Sequence, residues 1–108
     1  MKTYKIFYTD NAESCLLDIS EYIAQDNPIR AKSFINEIVS HLNKTLSIFP
    51  LSYPICEDIG YKIRLYPYQK YNCYYWLNTD KQIVEILFIF NSAKNTKGKL
   101  YQYIQALK

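Results

Sequence analysis

The chain has 108 residues, which suits one domain with a single modest core, and its 49% hydrophobic and 21% charged residues exclude a disordered chain. No apolar run approaches the length of a membrane span. Residues 1–60 hold five Lys and Arg against eight Asp and Glu, whereas residues 61–108 hold eight Lys and Arg against two Asp and Glu. The basic second half favours an acidic partner.

The chain begins with a short alternating run from Tyr4 to Tyr8, which predicts a first strand at an edge of a later sheet. Asp10, followed three residues later by Glu13, matches a capping box and predicts Asp10 as the N-cap of a first helix. Apolar residues behind this signal recur with helical spacing over about four turns. They are Ala12, Leu16, Ile19 and Ile23.

A second helix is predicted from Asn27 as N-cap and Pro28 at the first helical position, and Pro50 ends it. Its apolar stripe consists of Ala31, Ile35, Ile38, Leu42, Leu46 and Phe49, widened by Phe34 and Val39. Because only a few residues join the two helices, we expect an antiparallel hairpin whose apolar face covers a sheet.

Residues 61–91 contain three short runs rich in β-branched and aromatic residues, which predict a three-stranded antiparallel meander. In the first run Lys62 and Arg64 alternate with Ile63 and Leu65, so the two cations are expected to face away from the apolar pair. We assign the face that carries the cations to a binding partner.

The last strand of the meander is apolar on most of both faces, so we expect it to be central and covered twice. Its face formed by Val84, Ile86, Phe88 and Phe90 is assigned to the helical hairpin. A polar and basic stretch follows Asn91. A short C-terminal helix is then predicted from Leu100, Tyr103, Ile104 and Leu107.

These elements predict an α+β fold in the order β-α-α-β-β-β, with a helical hairpin packed on an antiparallel sheet and a short C-terminal helix. The whole of residues 1–108 is expected to form a single domain.

Cys15, Cys56 and Cys73 are widely spaced, with no CxxC pair and no neighbouring histidine. That spacing excludes a disulfide framework and a zinc site, so we expect reduced, mostly buried thiols and no metal. No N-terminal apolar segment has the pattern of a signal peptide, and we therefore expect a cytoplasmic protein without a membrane partner.

Two stretches carry a resemblance to a known family. They are the hairpin, LLDISEYIAQDNPIRAKSFINEIVSHLNKTLSIFP, and the meander with its tail, KIRLYPYQKYNCYYWLNTDKQIVEILFIFNSAKN. Over residues 1–96 this order of elements resembles the RelE/ParE superfamily of plasmid-stabilisation toxins from type II toxin–antitoxin systems. The resemblance implies a single toxin domain that arrests growth. It also implies a cognate antitoxin protein as partner, with no cofactor and no small-molecule substrate.

The resemblance also implies site residues. Arg64 matches the family's arginine on the strand after the hairpin, and Lys94 matches a basic residue after the last strand, so both are candidate catalytic residues. The residues expected to bind the target or a nucleic acid are Lys62, Arg64, Tyr66, Tyr74, Lys94 and Lys97. Among these the cations would contact phosphates, and the two tyrosines, if exposed, would stack on bases.

The chain departs from the family's pattern at two positions. Asn91 stands where the family often has histidine, and Phe88 stands where an arginine is common. Because asparagine has no proton to exchange, the end of the last strand lacks a general acid or base there. His41 lies on the second helix, and we interpret it as a partly exposed helix residue.

The family divides into inhibitors of DNA gyrase and ribosome-dependent mRNA endonucleases. Asn91 and the long hairpin helices favour gyrase inhibition. The alternative is a ribosome-dependent mRNA endonuclease, the one branch in which the protein is an enzyme. A further alternative is a non-catalytic nucleic-acid-binding module or an inactive toxin, whose basic half would still bind nucleic acid in a salt-dependent manner.

Overall fold

The computed structural model describes residues 3–57, 59, 61–93 and 97–107, except for the side chains of Lys97 and Leu107. The elements in chain order are β1 (Lys5–Tyr8), α1 (Asp10–Ala24), α2 (Pro28–Ile48), β2 (Arg64–Tyr68), β3 (Tyr71–Asn78), β4 (Ile83–Asn91) and α3 (Lys97–Leu107). The predicted α+β class and element order are confirmed. No helix in the described part of the chain is long and apolar enough to cross a membrane.

The two helices of the hairpin begin at well-defined caps. Asn27 caps α2, accepting a hydrogen bond from the backbone N–H of Arg30, and Pro28 occupies the first turn, as predicted. The N-cap of α1 is Thr9, whose Oγ1 accepts from the backbone N–H of Ala12 at 3.2 Å. The prediction of Asp10 as N-cap was therefore wrong by one residue, because the hydroxyl that precedes Asp10 satisfies the free N–H.

The apolar stripes of both helices face the sheet. On α1, Ala12 and Ile19 are buried. On α2 the buried residues are Ala31, Phe34, Ile38, Leu42 and Leu46. Phe49, predicted to complete the stripe, follows the last helical residue and is 56% exposed. The hairpin therefore covers one face of the sheet, which we call the hairpin face.

The four strands form one sheet in the order β1-β4-β3-β2. The pairs β2–β3 and β3–β4 are antiparallel, as the meander predicted, and β1 lies at an edge, where it runs parallel to β4. The other edge strand, β2, contains Pro67, which lacks an N–H for the ladder and is tolerated at an edge. β4 has a neighbour on each side and is buried along most of its length, which confirms its central place.

A β-bulge interrupts the pairing of β3 with β4. Tyr75 pairs with Ile86. The preceding residue of β3, Tyr74, pairs with Phe88, so Leu87 lies between the two pairs as the extra residue. An extra residue of this kind bends the strand and changes the face to which the following side chains point.

The bulge divides the apolar residues of β4 between two cores. Val84 and Ile86 pack with the hairpin, whereas Phe88 and Phe90 pack on the opposite face with residues of α3. The prediction that Phe88 and Phe90 face the hairpin was wrong, because it assumed unbroken alternation through Leu87.

The opposite face of the sheet, which we call the α3 face, is partly covered by the C-terminal helix. Leu100 and Ile104 of α3 are buried there, and Tyr103 packs beside them. The sheet residues beneath them include Tyr74, Leu87, Phe88 and Phe90, and Ile63, just before β2, packs with them. The predicted C-terminal helix is confirmed, and it supplies a second layer of the core.

Candidate functional site

Arg64 begins β2 on the hairpin face, in the same alternating row as Tyr66 and Tyr68. Its guanidinium Nη1 donates to the backbone carbonyl oxygens of Tyr53 at 2.6 Å and Leu51 at 3.4 Å. Both carbonyls belong to the loop that follows α2. Arg64 therefore attaches this loop to the sheet, and the prediction that it faces away from the hairpin was wrong.

A second contact holds the same loop. The hydroxyl of Tyr75, which is opposite Arg64 in the ladder, donates to the backbone carbonyl of Pro50 at 2.5 Å. Burial raises the pKa of the Tyr75 hydroxyl well above its ordinary value, and the nearby charge of Arg64 opposes that rise. Arg64 and Tyr75 together hold the loop that follows α2 against the sheet.

Of the other predicted cations, the structure describes the side chain of Lys62 alone, and it does not join Arg64. Lys62 is exposed and lies in a turn with φ 56°, before β2 begins, so it is not part of the strand face. Lys94 and the side chain of Lys97 lie outside the described part of the chain.

Tyr66 and Tyr74 would stack on bases only if their rings were exposed, and both are buried. Tyr66 lies on the hairpin face in edge-to-face contact with Tyr53, at 4.7 Å between ring centroids. Tyr74 lies on the α3 face, 6.1 Å from the ring of Phe90. The condition for base stacking is not met, because helices cover both faces of β3 and the loop after α2 covers Tyr66.

His41 is exposed on α2, as predicted, and its ring lies 4.9 Å from that of Tyr68. The ring contact gives the histidine a packing role at the rim of the hairpin face.

A pocket lies where β4 ends, between α1, the sheet and α3, with a volume of about 500 Å³. We call it the β4-end pocket. Its lining is Asn11, Ser14, Cys15, Asp18, Ile19, Tyr22, Tyr71, Phe88, Ile89, Phe90, Asn91 and Lys99. The pocket places the carboxylate of Asp18 and the ammonium group of Lys99 near Asn91, at the end of β4.

The polar groups of the β4-end pocket influence one another. Burial raises the pKa of the Cys15 thiol, the nearby Asp18 carboxylate adds to the rise, and Lys99 opposes it. Burial also raises the pKa of Tyr71, with a smaller contribution from Tyr22. The thiol and the phenol are therefore protonated at neutral pH and can donate hydrogen bonds to a ligand.

Asn91 has a structural role at the mouth of this pocket. Its Oδ1 accepts a hydrogen bond from the backbone N–H of Ala93 at 2.9 Å, which shapes the turn after β4. Asp18 is exposed, as its place off the apolar stripe of α1 indicates, but the sequence alone gave no sign that it lines a pocket. The bulge at Leu87, invisible in the sequence pattern, directs Phe88 and Phe90 toward the pocket.

A second concave surface runs between the two helices of the hairpin, with a volume of about 510 Å³. We call it the hairpin groove. Its lining is mainly aliphatic: Leu16, Leu17, Ala24, Pro28, Ala31 and Ile35, with Glu13, Ser20, Lys32 and Asn36 at the sides. Leu17 is 59% exposed in it. An aliphatic groove with charged sides suits the apolar stripe of a helix from another protein.

No group of three or more His, Cys, Asp or Glu side chains that could hold a metal ion occurs among residues 3–57, 59, 61–93 and 97–107.

Comparison with known proteins adds a family match. The sequence model of the family described as ParE toxin of type II toxin–antitoxin system, parDE, matches residues 6–96. That span includes all of β1 except Lys5, the hairpin and the whole meander. No curated protein matches the chain in sequence.

Solved structures share the fold. The toxin–antitoxin complex RelBE2 from Mycobacterium tuberculosis contains a chain that matches with a TM-score of 0.67 and 20% identity, over 87% of this chain and 97% of that one. The chromosomal ParDE toxin–antitoxin system from P. aeruginosa contains a chain that matches with a TM-score of 0.69 and 16% identity, over 82% of this chain and 96% of that one.

Proposed function

The chain belongs to the family of ParE toxins of type II toxin–antitoxin systems, and we propose that it arrests growth in the cytoplasm by inhibiting DNA gyrase. The observation that carries this choice is the position of Arg64, whose guanidinium is bonded to the loop carbonyls of Leu51 and Tyr53. An mRNA endonuclease needs cations free to stabilise a phosphate in the transition state. An inhibitor that acts by binding does not need that arrangement.

The burial of Tyr66 and Tyr74 supports the same choice. Recognition of single-stranded RNA depends on aromatic rings that are open to stack with bases. Neither ring offers an open face in this chain, since both are at most 7% exposed.

One observation favours the second candidate function, ribosome-dependent cleavage of mRNA. The β4-end pocket places Asp18, Lys99 and two tyrosines around Asn91. A carboxylate can accept the proton of a 2′-hydroxyl, and an ammonium group can stabilise the phosphate that the hydroxyl attacks. Asn91 supplies no general acid or base, and Asp18 of α1 and Lys99 of α3 would take over that role in the pocket.

Two assays run in parallel test these functions. Purified protein is added to gyrase and relaxed plasmid, and supercoiling is measured; separately, mRNA 5′ ends are mapped after induction in cells. Gyrase inhibition without new 5′ ends is expected. Ribosome-positioned cuts without gyrase inhibition would overturn the proposal and establish the endonuclease.

The partner that neutralises the toxin is proposed to be a cognate antitoxin whose apolar helix binds in the hairpin groove. The exposed aliphatic residues of the groove, Leu17 above all, support this placement. Co-expression of the antitoxin is expected to restore growth. Robust growth under strong expression of the folded toxin alone would contradict the toxic activity itself.

The groove is tested with Leu17→Glu, which places a charge among the aliphatic residues and is expected to weaken antitoxin capture at least about tenfold. Ile29→Glu is the matched control, because Ile29 is 84% exposed on α2 and does not line the groove. Equal loss in both variants would place the antitoxin elsewhere.

The remaining predicted site residues are proposed to contact the target through charge. Lys62, Lys94 and Lys97 belong to the half of the chain that holds eight basic against two acidic residues. Their replacement by glutamate is expected to weaken target binding most at low salt, because the contribution is electrostatic. Salt-dependent binding to nucleic acid without gyrase inhibition or cleavage would instead favour a non-catalytic nucleic-acid-binding module.

A further inference from the structure

The helix α3 covers only part of the α3 face, and a row of three side chains lies on the uncovered part. In the ladder, Phe7 of β1 is opposite Glu85 of β4. On the other side of β4, Trp76 of β3 is opposite the same glutamate. Side chains that are opposite in a ladder project from the same face and lie side by side. We call Phe7, Glu85 and Trp76 the acid–aromatic row.

The row faces outward rather than into the hairpin core. Val84 and Ile86, the neighbours of Glu85 in sequence, are buried on the hairpin face, so Glu85 projects from the α3 face. Phe7 is 55% exposed and Trp76 is 37% exposed. Two large aromatic rings therefore flank a carboxylate at the surface.

Glu85 lacks a cationic partner in the described part of the chain, where the single ion pair joins Arg30 and Glu37. Lys5, paired with Ile83 one ladder step away on the same face, does not reach it. Tyr103 of α3 lies on the covered side of the row, where its ring is 5.4 Å from that of Phe88, and the charge of Glu85 adds to the rise that burial causes in the pKa of this tyrosine. The carboxylate thus has three aromatic neighbours and an open side toward solvent.

A carboxylate between aromatic rings attracts a cation in two ways, through the ion pair and through the electron-rich ring faces. Arginine suits this arrangement best, because its planar guanidinium stacks on a ring while its N–H groups contact the carboxylate. An anion such as a nucleic-acid phosphate is repelled by Glu85. We propose that the acid–aromatic row binds an arginine side chain of another protein.

A second copy of this chain is a poor source of that arginine. The chain has two arginines, Arg30 and Arg64. Arg30 is paired with Glu37, and Arg64 is bonded to loop carbonyls. The occupant is therefore an arginine presented by a different protein.

Trp76 makes the row directly observable, because it is the only tryptophan in the chain. The folded full-length protein is titrated with the capped peptide acetyl-Gly-Arg-Gly-amide while tryptophan fluorescence is followed. The control peptide carries citrulline, which keeps the shape of arginine without its charge. The arginine peptide is expected to give a saturable change in fluorescence. The citrulline peptide is expected to bind at least about tenfold more weakly. The absence of saturation, or equal responses to both peptides, would overturn the proposal.

Variants locate the binding. Glu85→Gln removes the charge at nearly constant shape and is expected to abolish the preference for arginine over citrulline. Phe7→Leu keeps an apolar side chain without a ring and is expected to weaken arginine binding several-fold. Glu21→Gln, an exposed carboxylate of α1, is the matched control and is expected to bind as the unmodified chain does. If Glu85→Gln still preferred the arginine peptide over the citrulline peptide, the acid–aromatic row would not be the binding site.

Sedimentation of the unmodified chain over a range of concentrations decides between this occupant and a second copy. A monomer that binds the arginine peptide supports the proposal. Self-association that shifts the Trp76 fluorescence and resists the peptide would overturn it.

Discussion

Arg64 and Tyr53 are joined by a hydrogen bond of 2.6 Å, in which the guanidinium Nη1 donates to the backbone carbonyl oxygen. The bond connects an edge strand to the loop that leaves the helical hairpin. Arg64→Ala is therefore expected to lower the free energy of unfolding by about 1–3 kcal/mol, the usual range for a hydrogen bond from a charged group. The midpoint of urea unfolding, followed by circular dichroism, measures the change.

Lys62→Ala is the control for Arg64→Ala, because Lys62 is exposed in a turn, and its effect on unfolding is expected to stay within about 0.5 kcal/mol. A different result for Arg64→Ala would make Arg64 a candidate for target binding again. If Arg64→Ala kept full stability and lost toxicity, its guanidinium would have to act on the target.

Tyr75→Phe tests the second attachment of the same loop. The change removes only the hydroxyl that donates to the carbonyl of Pro50, in a residue that is 0% exposed. The buried carbonyl loses its partner, so a loss of about 1–2 kcal/mol is expected from thermal or urea unfolding. Tyr61→Phe, at a residue that is 49% exposed, provides the comparison and should leave the midpoint almost unchanged.

Thr9 combines two bonds in one hydroxyl. Its Oγ1 accepts from the N–H of Ala12 and donates to the carbonyl of Ile86 at 2.8 Å, next to the bulge. Thr9→Ala is expected to cost about 1–2 kcal/mol and Thr9→Ser much less, because serine keeps the hydroxyl. Asp10→Ala should cost under about 1 kcal/mol, the loss of a charge near the helix N-terminus. A larger effect at Asp10 than at Thr9 would restore Asp10 as the cap.

Alkaline pH should destabilise the protein through its buried thiol and phenol. Burial raises the pKa of Cys73 above its ordinary value of 9.0 and that of Tyr75 above 10.0. In the unfolded chain both groups lose their protons first, so stability is unaffected below about pH 9 and falls as the pH rises beyond it. Each group contributes up to about 1.4 kcal/mol per pH unit in that window.

Urea unfolding at pH 8, 9, 10 and 11 measures this dependence. Cys73→Ala should reduce the loss of stability from pH 9 upward, and Tyr75→Phe should reduce it from pH 10 upward. If both variants lost stability with the same slope as the unmodified chain, ionisation of these two groups would not drive the alkaline transition.

The helical hairpin could be predicted from the sequence because its signals are local. The capping asparagine, the proline after it and the apolar residues at every third or fourth position lie on one continuous segment. The helix α2 accordingly begins at Pro28, as expected. The start of α1 was misplaced by one residue, because Thr9 and Asp10 are both good caps and only the fold decides which oxygen meets the free N–H.

The faces of the sheet could not be predicted in the same way. β4 is apolar on both sides, so alternation in the sequence gives no sign of the extra residue at Leu87. Arg64 was expected on a solvent-facing side because a cation usually is. The row that contains Arg64 faces the hairpin instead. The apolar pair Ile63 and Leu65 faces α3, which supplies the second cover that was expected over β4. The β4-end pocket depends on α1, β4 and α3 together, and its residues are far apart in the chain.

The parallel pairing of β1 with β4 has a consequence for the making of the protein. Residues 5–8 are translated well before residues 83–86, so β1 can pair with β4 only when those later residues have followed. The hairpin can form early from local contacts, but the sheet that buries its apolar side must wait for a distant strand, which slows folding. An incomplete translation product that ends before β4 lacks this core, so toxicity should arise only from chains translated through the last strand.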